Sequence, residues 1–488
     1  MAKKNKKNFI RKSTETLLYD LDWIAEGEQF PPASQVARLE RYEQNKLLFE
    51  TEQKEVFRDA LSRIQRIVGD LRSVIIDPVI LNYNKLLSIK TADLVCGEEP
   101  KITYDGDKTN TVDEIKKKTN TSKLLYESVI DVSRYGDNVW RLYKDDDGKG
   151  TITIWEPGEW FPIVNPEDKK KITNHVLARK VFKGYDANGY EKYQLYVQIH
   201  HKGYYESRVY EMKDKTIIGK LISEETIMTG FKDFAVIHSS NVTTSDSIFG
   251  HDDYKPVNSI IVELMVRFGQ IQKILDKFAS PSVKGPMTAL QQNPLTGQWE
   301  FKMSNYYATT PEDGEVEYLT WDGQLTAAFT EIEKLIDQLL TISEMGAALL
   351  GSIDSAGRAT SGTTMRLRMV NPLMKARRIV DSLHGNLQLA LSQISTMGYT
   401  PLEKDKITIE WFDGLPNDPV EDANIMAVRT GNRATISQKR AIMLLGDLSE
   451  EEAEKVLEEI QASEPTFDEY GFMDPNADNK DKGEEDEE

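Results

Sequence analysis

Val257, Ile261, Leu264, Phe268, Ile271, Leu275 and Phe278 follow one another at spacings of 4, 3, 4, 3, 4 and 3. That seam belongs to an amphipathic helix of about 27 residues and about 40 Å, showing one apolar edge to a partner. Pro281 stops it. After about 43 residues the same rhythm returns at Leu325, Phe329, Ile332, Ile336 and Leu339. The intervening stretch carries turn signals at Gly285-Pro286, Asn293-Pro294, Thr296-Gly297 and Asp313-Gly314, with strand-like runs at Gln298 to Met303 and Val316 to Trp321. Two seamed helices flanking a small β-rich excursion can pack antiparallel, giving a rod with a knob at its tip.

The rest of the chain arranges itself around that rod. Residues 35 to 69 have helical spacing, a second helix runs from Asp77 with Pro78 at its first position to Cys96 with Gly97 beyond it, and a third covers Thr111 to Tyr135. From Asn138 to Leu221 the period changes to two: VWRLY and TITIW flank the turn DDDGKG, and HVLARKVF, YQLYVQI, YYESRVYEM and TIIGKLI continue as a meander through turns at Asn188-Gly189 and Lys202-Gly203. After Met345 comes GAALLGSIDSAGRATSG, with four glycines in seventeen positions. Its Leu349, Leu350 and Ile353 are apolar residues that a plain linker would not need. A long helix is expected from Thr363 to Met397, kinked near Val370 and Asn371 by Pro372. The strand KITIEW leads to a helical C-terminal unit, with Ser437 and Ser449 as N-caps, Glu452 completing a capping box and Gly446 at a stop.

Charge and chemistry exclude whole classes of function. Eighty acidic residues against 61 basic leave a net charge of −19, which opposes a surface built to hold nucleic acid or anionic lipid by simple attraction. The start, MAKKNKKNFIRK, reads as a solvated basic arm, and the residues from Glu464 as a disordered acidic tail. Against this background Arg358, Arg366, Arg368, Lys375, Arg377 and Arg378 form a basic run without an acid. Cys96 stands alone, so no internal disulfide and no multi-thiolate metal site is expected, and it reads as a small buried apolar residue. No run of eighteen apolar residues points to a membrane span. The phosphate-cradling GxxxxGK[ST] pattern is missing, since Gly148-Lys149 and Gly219-Lys220 lack the spacing. DDDGKG would put Tyr143 where a calcium loop needs its first carboxylate, so it reads as a hairpin turn. His200 and His201 are neighbours in a strand and point to opposite faces, and neither HExxH nor GxSxG occurs. No catalytic constellation, metal site or cofactor is expected.

IDPVILNYNKLLSIKTADLVCGEEP, SRYGDNVWRLYKDDDG, FGHDDYKPVNSIIVELM and SGTTMRLRMVNPLMKARRIV are similar to segments of siphophage and prophage portal proteins. The order of segments resembles the portal protein of tailed bacteriophages over nearly the whole chain. The resemblance implies an α+β portal-type fold. After an N-terminal arm (1–34) it has an α/β wing (35–253), a two-helix stem (254–280 and 324–346) and a small β-rich clip (281–323). A tunnel loop (347–362), a kinked helix with its return to the wing (363–418), a helical crown (419–463) and an acidic tail (464–488) complete it. It also implies a homo-oligomeric ring, usually of twelve subunits, at one capsid vertex of the virion, assembled in the host bacterial cytoplasm. Double-stranded DNA would pass through the channel, with a terminase motor, major capsid and scaffold proteins and a head-tail adaptor as partners and no membrane. In the tunnel loop Leu349, Leu350, Ser352, Ile353, Ser355 and Arg358 are expected against DNA, Arg358 being the best single contact. The basic face of the kinked helix, Arg366, Arg368, Lys375, Arg377 and Arg378, suits salt bridges slightly better than DNA. The alternatives are a head-to-tail connector or baseplate component without a channel, and a phage-encoded nuclease.

Overall fold

The computed structural model describes residues 17–61, 79–106, 109–185, 189–213, 215–279, 325–346, 368–412, 419–431, 434–446 and 450–463, with short pieces at 283–286, 291–292, 299–300, 306–309, 317–318 and 448. The fold is α+β. It divides into two compact units, the larger holding the described residues up to Phe412 and the smaller those from Pro419 on.

The larger unit is organised by a five-stranded antiparallel meander: β4 (Trp160–Asn165), β5 (Asp168–Tyr185), β6 (Glu191–His200), β7 (Tyr204–Lys213) and β8 (Ile217–Met228), side by side in chain order. Val176, Ala178, Val197 and Ile199 pack on one face, and Trp160, Val164 and Leu177 on the other, because successive side chains alternate and both faces are covered. The first face is closed by the segment before the first helix. Leu18 bridges to Ile163 at the β4 edge, Trp23, Ile24 and Phe30 fill the middle, and Gln29 bridges to Ile217 at the β8 edge. The sequence reading of an arm through residue 34 is therefore too long: from Leu17 the chain is a strap built into the core. The basic start itself lies outside the described residues.

A second sheet has the order β3–β2–β9, from β2 (Asp137–Lys144), β3 (Gly150–Trp155) and β9 (Val236–Ser240). Its β2–β3 turn is the DDDGKG segment, where Asp145 and Asp147 hold Lys118 at 2.6 and 2.7 Å. A short antiparallel pair joins β1 (Lys101–Tyr104) to β15 (Ile407–Glu410).

Local chemistry moves several helix boundaries. The helix expected over 35 to 69 breaks after Val36–Phe49, because Thr51 takes a left-handed conformation (φ 77°), and a single turn follows at Gln53–Val56. The second helix begins at Tyr83, not near Pro78, since Asn82 caps it by accepting the Lys85 N–H at 2.9 Å. Asn120, also left-handed (φ 47°), splits the third into Thr111–Thr119 and Thr121–Tyr135. Cys96 is half-buried, and burial pushes its thiol up to about 12, which leaves it unreactive.

The two seamed helices are Asn258–Ala279 and Leu325–Ile342. Val257, Ile261, Leu264 and Ile271 share one apolar cluster with Ile332 and Leu339. Phe268, Leu325 and Ile336 are half-buried at its edge. Leu275 and Phe329 depart from the seam, being 52% and 47% exposed. The side chain of Phe278 lies outside the described residues. Between the helices, β10 (Val283–Pro286) pairs with β13 (Tyr306–Thr309) and β14 (Glu317–Tyr318), and β11 (Gln291–Gln292) pairs with β12 (Trp299–Glu300). Of these five short strands only β12 and β14 fall within the two runs expected from sequence.

The smaller unit contains the helices Pro419–Thr430, Gln438–Gly446 and Glu450–Ser463. Ser437 caps the middle one by accepting the Arg440 N–H at 3.3 Å, and that helix ends at Gly446. Ser449 lies outside the described residues.

Candidate functional site at the root of the seamed helices

The segment Phe249-Gly250-His251-Asp252-Asp253-Tyr254 leads into the first seamed helix, and its residues bind it to five separate elements. Gly250 lies against Gly136, the C-cap of the Thr121–Tyr135 helix (φ 86°). A Cβ on Gly250 would sit 2.0 Å from the Gly136 carbonyl oxygen. Asp137, the next residue after Gly136 and fully buried, accepts the Gly250 N–H at 2.9 Å, the His238 Nε2–H at 2.8 Å and the Tyr42 hydroxyl. Burial first, and the Asp137 charge second, push the Tyr42 hydroxyl far above its ordinary range, so it remains a donor. The His238 ring stacks on Trp160 at 4.2 Å.

The adjacent carboxylates turn in different directions. Asp252 Oδ1 accepts the N–H groups of Tyr254 and Lys255 at 3.1 and 2.8 Å, while its Oδ2 lies 3.6 Å from Arg41 Nε. Asp253 Oδ2 accepts the Ser133 hydroxyl at 2.7 Å and Lys375 Nζ at 2.8 Å, and its Oδ1 accepts from Asn241 at 3.1 Å. Tyr254, fully buried, meets Ser88 Oγ at 2.8 Å.

The other end of the rod arrives at the same place. Lys375 Nζ also donates to the Ser343 carbonyl at 3.2 Å, and Arg378 pairs with Glu344. Gly346 packs against Arg368, Met369 and Pro372, whose nearest atoms lie 3.4 to 3.5 Å from the position of a Cβ. Gly346 and Arg368 are therefore neighbours on one anchored base.

The sequence-derived site residues divide as follows. Leu349, Leu350, Ser352, Ile353, Ser355, Arg358 and Arg366 lie outside the described residues. Arg368 is exposed. Lys375 is buried against Asp253, Arg377 pairs with Asp381 at 3.1 Å in the open, and Arg378 pairs with Glu344. The four described members do not share one basic face, because at about 100° per residue Lys375 and Arg377 point to opposite sides of a helix. Pro372 is the third residue of the helix Val370–Ser395, where an absent N–H leaves no intrahelical bond unmade. The break comes just before it, at Met369, which forms a turn between helical residues 368 and 370. Tyr42, Gly136, Asp137, His238, Asp252 and Asp253 were not singled out from sequence; an acid opening an otherwise apolar strand, as in DNVWRLY, was the available signal.

Two histidines of the meander are neutral in the fold. Burial, then the charge of His238, pushes His175 down to about 3, and burial holds His200 well below its ordinary value. The unfolded chain takes up protons at these rings below about pH 6.5, so the stability they contribute is complete above that pH and is lost as pH falls below it, for His175 down to about 3. Burial raises Asp131 to about 6, and its effect has the opposite sign: its contribution is complete below about pH 4 and is lost as pH rises through 6. Urea midpoints measured from pH 7 to 4.5 will fall less steeply for His175→Gln than for wild type, by about one proton's worth of slope. Parallel curves would show that the ring titrates normally.

A model of the family described as "Phage portal protein, SPP1 Gp6-like" matches residues 38–466. The chain belongs to this family. As a phage portal protein it forms the ring-shaped channel at one capsid vertex through which double-stranded DNA is packaged and ejected, and the connector and baseplate alternatives give way. No curated protein matches the chain. Among solved structures, a chain from "Virion of native gene transfer agent (GTA) particle" is 11% identical, with 80% of this chain and 93% of that chain covered and a TM-score of 0.42. Chains from the neck of the empty GTA particle, computed with C6 symmetry, and of the native particle, computed with C12 symmetry, are each 12% identical. They cover 80% and 74% of this chain and 93% and 88% of their own, with TM-scores of 0.41 and 0.36.

Proposed function

We infer that twelve copies make the ring, with the seamed helices as its stem, the strands between them as its clip, the sheet-bearing body as its wing and the C-terminal helices as its crown. The family match carries this reading, since it runs from the first helix to beyond the last. The uncovered seam positions Leu275 and Phe329 support it: they are apolar and half-exposed in one copy, as a contact with a second copy would need. The clip would receive the terminase motor and then the head-tail adaptor, and the wing would meet the major capsid and scaffold proteins during assembly in the bacterial host. The role is structural, with the motor supplying the energy. Among the described residues no helix is long and apolar enough to cross a membrane.

Residues 347–362 would be the tunnel loop, with Leu349, Leu350, Ser352, Ile353, Ser355 and Arg358 toward DNA and Arg366 and Arg368 behind it. A wall of net negative charge with few basic points lets a duplex slide, whereas many lysine contacts would hold it. In a complementation experiment on a phage lacking this gene, the wild-type chain will restore DNA-filled heads. Arg358→Ala and Leu350→Asp will assemble rings but fill fewer heads. Filled heads without any copy of the gene would overturn the portal reading, and wild-type filling by both variants would remove the loop's role.

A further inference from the structure

Lys375 has the basic character expected of a DNA contact, but the fold turns it inward. Its side chain is 6% exposed, and one nitrogen joins three separate segments. Asp253 stands just before the first seamed helix, Ser343 just after the second, and Lys375 itself on the second turn of the long helix. The apolar packing around this point, from Val257, Ile261, Leu339 and Met345, is non-directional and tolerates sliding. A charge-assisted bond in a nearly dry setting has a preferred direction and does not. Asp253 is in turn held by Ser133 and Asn241, which belong to the sheet-bearing body.

The geometry points to Lys375 as a positioning residue that sets the direction in which the two seamed helices leave the body, acting through Asp253 and the Ser343 carbonyl. Its consequence for a ring rests on the portal reading, because twelve stems can close around one opening only if each leaves its wing at the same angle. The angle itself is a property of a single chain and can be read there.

The experiment uses the full chain with Cys96→Ser and spin labels on Tyr190→Cys in the body and Gln272→Cys on the first seamed helix, both exposed positions. Distances are measured by pulsed dipolar spectroscopy on dilute protein. The wild-type pair gives one narrow distribution, and Lys375→Met broadens it about twofold or more as the joint loosens. Lys375→Met leaves the Asp253 carboxylate without its cation, so the companion variant Lys375→Met with Asp253→Asn removes both charges. The companion is expected to regain wild-type thermal stability while its distribution stays broad. A distribution that is narrow in Lys375→Met, or narrow again in the companion, would show that Lys375 only balances a buried charge and overturn the proposal. Broadening in a protein that never forms rings would uphold the joint and defeat the portal reading.

Discussion

Gly250→Ala will prevent the larger unit from reaching its native fold. The new methyl carbon would stand 2.0 Å from the Gly136 oxygen and 2.9 Å from both the Gly136 carbon and the Asn241 nitrogen, all of them backbone atoms. None can rotate away. The Gly136 oxygen accepts the Asn241 N–H at 2.8 Å, and the Gly136 N–H closes its helix on Val132. The contact is equally tight from the other side, where a Cβ added at Gly136 would meet the Gly250 carbonyl oxygen at 2.5 Å. Overpacking between two backbones belongs with the rare substitutions costing more than about 4 kcal/mol, a large part of the 5 to 15 kcal/mol that holds a typical domain together. The measurement is soluble yield and thermal unfolding beside Gly269→Ala, a helical glycine with open space around it, where alanine is expected to gain about 0.5 to 1 kcal/mol. A Gly250→Ala protein as stable as wild type would mean that the two glycines do not touch.

Asp137→Ala is expected to cost about 3 to 5 kcal/mol, because it strands three donors that lie out of water. The Tyr42 hydroxyl, the His238 ring and the Gly250 N–H come from the first helix, from β9 and from the segment leading into the first seamed helix, and one carboxylate receives all three. Asp137→Asn retains one acceptor oxygen but turns an NH2 group toward at least one donor, so its loss should be about half as large. Equilibrium urea unfolding will show a lower midpoint at unchanged slope in both variants, Ala below Asn. Equal midpoints for Asp137→Ala and wild type would show that the donors find other partners.

What the sequence reveals depends on the range of the interaction. The seamed helices and the meander are periodic, and a period is a local property, so Val257 to Ile271 and the alternation through β5 to β8 announce themselves. The root of the seamed helices has no period. Asp137 meets Tyr42, His238 and Gly250 across 95, 101 and 113 residues of chain, and nothing beside any of them marks the meeting. Gly136 and Gly250 read as flexibility when taken singly, and their purpose is visible only as a pair. The strap from Leu17 to Phe30 crosses the strands of a sheet rather than running along one, so its apolar residues follow the sheet's spacing and not their own. Lys375 was grouped with Arg377 and Arg378 because a run of like charges ignores helical rotation, and the angle between neighbours sends it into the core. The left-handed residues Thr51 and Asn120, which cut two expected helices, carry side chains that helices also accept.

The proposed ring places copies of this chain side by side around a hole large enough for a DNA duplex. Electron micrographs of the purified assembly, averaged down its symmetry axis, show whether they stand that way. The expected image is a closed ring with an open centre, its stems parallel to the axis and one subunit outline repeated twelve times. Single compact particles under every assembly condition, or rings whose centre is filled by protein, would contradict it.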